Sequence, residues 1–473
     1  MRISFGGIME TNQKSRIGLI GIIFFILSGL IGIDGLTASA AVGPSVFGWW
    51  VIILLLFVLP YVLITCELGS AYPGEGGVYD WALEGLGERN AARVAWYYWI
   101  NVPFWMPSVY LLCAGMLAEL FYPEMSTWGM IAIALMMVWA TILIVNASLD
   151  FGHLVNNLGG LSKVLLLVVM AGGGLYYAAD HGAANELTLE SMMPSMDASF
   201  MYVPTLIYML VGVETIACLT TSMKNPKRDM PLGVLIAIGI IILLYAAGIS
   251  SMMLALPLDE LSLVGGMVQT YTILFGETGI GRLVTIALSI IAIFALFTYL
   301  IPWIMASSRA AAEAAKNNEM PAIFAVKNKH DAPYGANMMT GYVSTGALII
   351  YGFMAGTADD LFWSLFAFAN FLLFVTYLFL LAAFVKLRKI APEVERPFRV
   401  SGGNTFALIF ALVPGIVLTF GLVLFVFPDI LSASIDWAYS GPTVIALIIS
   451  VMVIEFSISR LKGKTHKPMH APT

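Results

Sequence analysis

Phe200 to Pro231 reads FMYVPTLIYMLVGVETIACLTTSMKNPKRDMP, a run that begins as a membrane helix and ends in a basic turn bearing two prolines. Glu214 stands in its middle, flanked by mostly apolar residues. An ionisable group at membrane depth costs about 2.5 kcal/mol or more, so a purely structural helix would not keep one cheaply. Gly212, two residues earlier, is the residue type that most readily lets a helix unwind, and the prolines of Lys224 to Pro231 end the helix on its basic side. The run therefore reads as a transmembrane helix broken at its middle and lining a polar cavity.

The rest of the 473-residue chain is consistent with that reading. It is 60% hydrophobic and only 11% charged, with mean hydropathy +0.89, whereas soluble proteins are nearer a quarter charged. Windows of about twenty apolar residues recur about twelve times, separated by pieces mostly too short to fold alone. The expected spans are 17–40, 47–71, 93–120, 127–145, 158–178, 200–222, 232–256, 282–307, 336–355, 361–386, 405–427 and 437–458. This gives one all-α polytopic domain in a lipid bilayer and no soluble appendage.

The net charge of −6 matters less than where the cations fall. All 23 basic residues except Lys163 and Arg282 lie in alternate segments: the N-terminus, the loop with Arg89 and Arg93, the Lys224 to Arg228 turn, Arg309 to Lys329, Lys386 to Arg399, and the tail from Arg460. The opposite loops carry acids such as Glu124, Asp197, Asp259, Asp359, Asp429 and Asp436. Short loops rich in Lys and Arg stay cytoplasmic, so both termini are expected inside. Lys14 and Arg16 before an apolar run ending in Ala38-Ser39-Ala40 have the order of a signal peptide, but Asp34 interrupts that run and an uncleaved first helix is the reading.

The first span holds Leu27-Ser28-Gly29-Leu30-Ile31-Gly32-Ile33-Asp34-Gly35, a glycine-rich and acidic middle that an anchor helix would avoid. Two interrupted helices five spans apart, entering from opposite faces, are what an inverted repeat of spans 1–5 and 6–10 would give. Between spans 2 and 3, Pro73 to Tyr79 reads as a tight cytoplasmic re-entry rather than a phosphate cradle, since no strand precedes it. Span 5 opens with Gly159-Gly160-Leu161-Ser162-Lys163, which places an ammonium about one turn inside the membrane. Span 8 runs through Pro302-Trp303 into a cytoplasmic segment from Ser307 to Pro321.

Several chemistries are not supported. Cys66, Cys113 and Cys218 sit in or at the ends of apolar spans as small hydrophobes, implying no disulfide framework. His153, His181, His330, His466 and His470 all fall in expected loops or the tail, without metal-ligand spacing, so no metal is expected. There is no Walker loop, no intramembrane nucleophile with a base, and nothing to suggest a cofactor or a nucleic-acid partner.

The order of these landmarks resembles the amino acid, polyamine and organocation (APC) transporter superfamily, and within it the bacterial exchangers typified by the arginine/agmatine and glutamate/GABA antiporters. Ser28-Gly29 stands where that family breaks span 1. Pro73 to Tyr79 is similar to its Pro-x-x-Gly-Gly-x-Tyr loop, and Gly212-Val213-Glu214 followed by Asn225-Pro226-x-Arg228-x-x-Pro231 is similar to its span 6 and following loop. Trp303 precedes Pro321 at the spacing seen in the arginine/agmatine exchangers. The resemblance covers about residues 15 to 400. It departs in having Leu-Ser-Gly for the first glycine triplet and in Asp34, which matches no common family position.

The resemblance implies a LeuT-type fold with 12 transmembrane helices, a 5+5 inverted repeat and broken helices 1 and 6, working by alternating access. Residues 17–387 would form the transport core, 388–459 the two peripheral helices, and 1–16 and 460–473 cytoplasmic ends. It also implies that Ser28, Gly29, Leu30, Gly212 and Val213 meet a substrate's carboxylate and amine through bare peptide groups, against the alternative of close helix packing by small residues. Tyr208 and Trp303 would close an aromatic chamber over the substrate, or simply pack. Similar exchangers use a glutamate at Glu214 in transport coupling; the alternative is a hydrogen-bonded link between helices. In sodium-coupled relatives of the fold a cation lies between spans 1, 5 and 8, where Lys163 would substitute for it, unless it snorkels to the interface. Asp34 is a substrate-amine or proton site, or part of the outer vestibule.

The expected function is secondary active transport of amino acids or related amines across the cytoplasmic membrane by exchange or proton coupling. A proton symporter of a neutral amino acid is the alternative, and a receptor or channel a remote one. The sequence is compatible with both a monomer and a homodimer.

Overall fold

The computed structural model describes residues 18–73, 77–147, 149–196, 198–216, 223–428, 430, 435 and 437–460. The N-terminal segment, Glu75-Gly76, Asp197, Cys218, the end of span 6, Asp429, Asp436, and the tail with His466 and His470 lie outside the described residues, as does the side chain of His153.

Among the described residues the chain is helical and forms no β-strand. The first span is split into α1 (Leu19–Leu30) and α2 (Leu36–Ala40). Then come α3 (Val46–Ala71), with a π-helical turn at Leu54–Val58, α4 (Val78–Leu86), α5 (Glu88–Phe121), α6 (Thr127–Ala147) and α7 (Leu149–His181). The sixth span begins as α8 (Val203–Tyr208) and is likewise interrupted. The remainder is α9 (Pro226–Ala255), α10 (Gly266–Phe275), α11 (Gly279–Lys316), α12 (Tyr334–Met354), α13 (Ala358–Ile390), α14 (Gly403–Val426) and α15 (Trp437–Arg460).

Nine helices among the described residues are long and apolar enough to cross a membrane. Three expected spans are not among them. Span 1 is cut at Leu30 by its break, and span 6 is described only over Phe200–Ile216, with the Gly212 break inside it. The ninth is α12, whose Thr340 and Ser344 face α5 and whose Asn337 and Thr345 face α6. Pro107 of α5 has no N–H to give, and the Pro103 carbonyl it leaves free accepts from Ser344 Oγ at 2.8 Å. One turn away, Trp99 Nε1 donates to Thr340 Oγ1 at 3.0 Å. Pro107 thus sits inside a 34-residue helix with the carbonyl it frees satisfied by a neighbour.

Several boundaries differ from expectation. α7 extends beyond both expected ends, so His153 and His181 lie on a helix rather than in loops. α11 continues through Ala310–Ala315 to Lys316, because an alanine-rich segment with strong helix propensity keeps its buried face against the bundle. The re-entry after span 2 is not merely a turn: from Gly77, at φ 54°, the chain enters the amphipathic α4, which buries Val78, Tyr79, Trp81, Ala82 and Leu83. Tyr79 Oη donates to Glu319 Oε2 at 2.8 Å, beyond the end of α11.

Both faces of the bundle are tied. On one, Arg388 grips Glu67 through two bonds, at 2.8 and 2.5 Å, and Arg396 Nε lies 3.2 Å from the same carboxylate. Glu67 also accepts the Val400 N–H at 2.7 Å, while Arg93 pairs with Glu455 at 2.6 Å on the same face. On the other, Asp359 accepts the N–H groups of Leu263 and Val264 at 3.2 and 3.1 Å, and Arg282 donates to the Leu120 carbonyl. Between these faces lie the two interruptions.

Candidate substrate chamber

α1 stops at Leu30 because Ile31 leaves helical geometry (φ −66°, ψ 103°), and α2 resumes only at Leu36. Peptide groups freed at such a break cannot be left bare inside a membrane. Tyr245 of α9 supplies both missing partners: its hydroxyl accepts from the Gly32 N–H at 2.7 Å and donates to the Leu30 carbonyl at 3.2 Å. The two preceding carbonyls are also taken by side chains, Ser28 O by Lys163 Nζ at 3.0 Å and Gly29 O by Trp303 Nε1 at a long 3.4 Å.

The second interruption centres on Gly212, at φ 103°. A side chain there would be strained by that backbone and would also come within 2.8 Å of the Trp303 ring. Leu30 approaches the same point, so Trp303 and Leu30 pack both breaks against each other. Val213 follows, fully buried.

Asp34 lies in the first break with 0% exposure. Its Oδ2 accepts from Trp105 Nε1 at 2.9 Å and from Tyr208 Oη at 2.5 Å, while its Oδ1 has no hydrogen-bond partner. Trp105 is the hub of the surrounding rings, with centroids 6.3 Å from Tyr208, 5.3 Å from Tyr299 and 5.5 Å from Trp303. Phe366 closes on Tyr208 edge-on at 4.9 Å. The arrangement is a carboxylate with one unpaired oxygen among aromatic side chains, of which Tyr299 carries the Lys163 ammonium on its face.

Lys163 is buried, at 1% exposure, and does not snorkel. Gly160 lets α7 come so close to α1 that an added Cβ would meet Ser28 Oγ at 2.3 Å; Gly159 does the same against Thr298 of α11. The ammonium so delivered sits between α1, α7 and α11, on Ser28 O and 3.9 Å over the centre of the Tyr299 ring.

Glu214, at 2% exposure, belongs to a different neighbourhood. It accepts hydrogen bonds from Tyr61 of α3 and from Tyr377 of α13, the latter at 3.0 Å, and those two rings lie edge to face at 5.3 Å. The carboxylate therefore links the second break to two helices outside the aromatic box. Of the residues singled out by sequence, Ser28, Gly29, Leu30, Asp34, Tyr208, Gly212, Trp303 and Lys163 come together around the first break, Val213 lies beside them, and Glu214 faces the tyrosine pair.

A sequence profile described as amino acid permease matches residues 17–453. The chain belongs to the amino acid permease family. The permease is 32% identical over 451 residues to the protein of Lactococcus lactis subsp. lactis (strain IL1403) named probable agmatine/putrescine antiporter AguD, covering 95% of this chain and 96% of that one. It is 24% identical over 438 residues to the same strain's glutamate/gamma-aminobutyrate antiporter, covering 87% and 83%. Among solved structures it resembles MhsT in complex with L-phenylalanine, with TM-score 0.58 and 15% identity over 86% of this chain and 97% of that one, a likeness of fold. The architecture is LeuT-type, with spans 1 and 6 broken, and the permease is a multi-pass membrane transporter of the APC superfamily.

Sequence reading missed Trp105, Tyr245, Tyr299 and Phe366, and the Tyr61–Tyr377 pair. Trp105 carried a faint signal, lying between Pro103 and Pro107 in a span where two prolines are hard to justify. The others are aromatic residues in apolar helices like many others in the chain, and nothing local marks them. Among the described residues no group of three His, Cys, Asp or Glu side chains could hold a metal ion.

Proposed function

We propose that this permease exchanges cationic amines and related amino acids across the cytoplasmic (inner) membrane by alternating access. The observation that carries the reading is Asp34: a fully buried carboxylate in the first helix break, with Oδ1 unpaired amid Trp105, Tyr208, Tyr299 and Trp303. A buried charge without a full set of partners is expensive, and an ammonium or guanidinium entering the box would supply the missing one. The relative named agmatine/putrescine antiporter, similar over nearly its whole length, supports amine exchange in particular.

In this reading Gly29, Leu30, Gly212 and Val213 offer main-chain groups to the substrate, with Trp303 giving up its long bond to Gly29 O and Tyr245 its bond to Leu30 O as the substrate enters. Ser28 O, also expected to contribute, stays with Lys163. Tyr208 and Trp303 enclose it. Lys163 takes the place that a sodium ion would need beside Ser28 O, and Glu214 with Tyr61 and Tyr377 couples the second break to α3 and α13, carrying a proton or relaying the gate. Residues 17–387 are the transport core and 388–459 a peripheral pair of helices. The clustering of Lys and Arg in alternate segments supports cytoplasmic termini, 1–16 and 460–473.

Counterflow in proteoliposomes loaded with a panel of diamines, decarboxylated amines and amino acids tests this. The proposal expects saturable accumulation of labelled amine driven by unlabelled amine inside. Net uptake of a neutral amino acid driven by a proton gradient, with no response to internal amine, would overturn it in favour of proton symport.

A further inference from the structure

An apolar groove of about 820 Å³ runs along the outside of the bundle between α13 and α14, lined by residues such as Leu381, Ala411, Leu412 and Ile416 and ending at Lys386 and Lys389. We propose that it is a binding site for an anionic phospholipid, with acyl chains in the groove and the headgroup phosphate on the two lysines. The reading stands apart from the proposed substrate.

Three observations converge. On α14 the groove reaches from Leu408 to Val423, about 22 Å at 1.5 Å per residue, which exceeds the roughly 15 Å of hydrocarbon in one leaflet. An acyl chain therefore fits along it. Lys386 and Lys389 are three residues apart on α13, hence neighbours on one helix face, both exposed and at the end where α13 leaves the bilayer. Neither forms an ion pair among the described residues, while Arg388 between them is spent on Glu67, Val400 and Gly403. The fold thus buries one cation of this cluster as structure and leaves two free at headgroup level. Basic pockets between transmembrane helices are suited to anionic lipid headgroups, and a zwitterionic lipid, whose phosphate is already balanced by its own ammonium, would offset less of the two lysines' charge.

The test is native mass spectrometry of the full-length protein titrated with phosphatidylglycerol or phosphatidylcholine in detergent. Wild type is expected to retain phosphatidylglycerol in preference. Lys386→Gln/Lys389→Gln, two exposed substitutions, is expected to weaken that retention by about 30-fold, at about 1 kcal/mol per lysine and 1.4 kcal/mol per tenfold. Gly415→Phe, which fills the groove and keeps both lysines, is expected to release the lipid as well. Equal retention of the two lipids by wild type would overturn the proposal without any variant. So would unchanged phosphatidylglycerol binding in the double variant, or a dimer that seals the groove and carries no lipid.

Discussion

Replacing Asp34 by Asn probes the chamber with little change of shape. The amide keeps one carbonyl oxygen, which can still accept from Trp105 Nε1 and Tyr208 Oη, the two bonds made by Oδ2 at 2.9 and 2.5 Å. What changes is the unpaired Oδ1 position, where an uncharged NH₂ donor would now face the incoming cation. Removing one member of a buried charge pair costs about 2–5 kcal/mol, or about 30-fold to several thousand-fold in affinity. Counterflow in proteoliposomes with a labelled diamine and, separately, a neutral amino acid should therefore show the diamine KM rising by at least about 30-fold, at the low end of that range. Any neutral substrate should be much less affected. If Asp34 only braces the two aromatic side chains, Asn performs the same task. A diamine KM within about threefold of wild type, less than about 0.7 kcal/mol, would therefore refute Asp34 as the cation's partner.

Three further outcomes follow from the same geometry. Glu214→Gln keeps the shape of the group facing Tyr61 and Tyr377 but cannot exchange a proton, so the pH profile of uptake should flatten while the protein still reaches the membrane; an unaltered profile would remove its proton role. Uptake should be unchanged when sodium is replaced by potassium, because Lys163 occupies the space beside Ser28 O, and strict sodium dependence would contradict that assignment. Glu67→Ala strands Arg388 and the Val400 N–H in a buried site, a loss of about 3–5 kcal/mol when a buried pair is broken. A marked fall in the detergent melting temperature is expected, and a melting curve like that of wild type would show that the latch does not hold that face together.

Both breaks were legible in the sequence because they violate a strong rule: glycines and carboxylates are out of place in the middle of a lipid-spanning helix, and Gly29, Gly32, Asp34, Gly212 and Glu214 stood out for that reason. Lys163 stood out in the same way. What satisfies the breaks was not legible. The hydroxyl that caps Gly32 and Leu30 comes from Tyr245, more than two hundred positions away, and the hub of the box is Trp105 on α5. An aromatic residue in an apolar helix violates no rule, so its place depends on tertiary packing alone. The same holds for α4. Its glycine-rich lead-in at Gly77 reads as a turn, but the amphipathic stretch after it becomes a helix only where α5 and α13 offer an apolar wall. Asp34 was visible as an anomaly, and its aromatic setting was not.

The central claim, that two interrupted helices and Asp34 together seat a cationic amine, is tested most directly by determining the structure with a saturating diamine. The account predicts an ammonium nitrogen in hydrogen-bond contact with Asp34 Oδ1, enclosed by Trp105, Tyr208, Tyr299 and Trp303, with the chain still unwound at Ile31 and Gly212. A diamine bound elsewhere, or spans 1 and 6 running as continuous helices with the box closed around nothing, would contradict it.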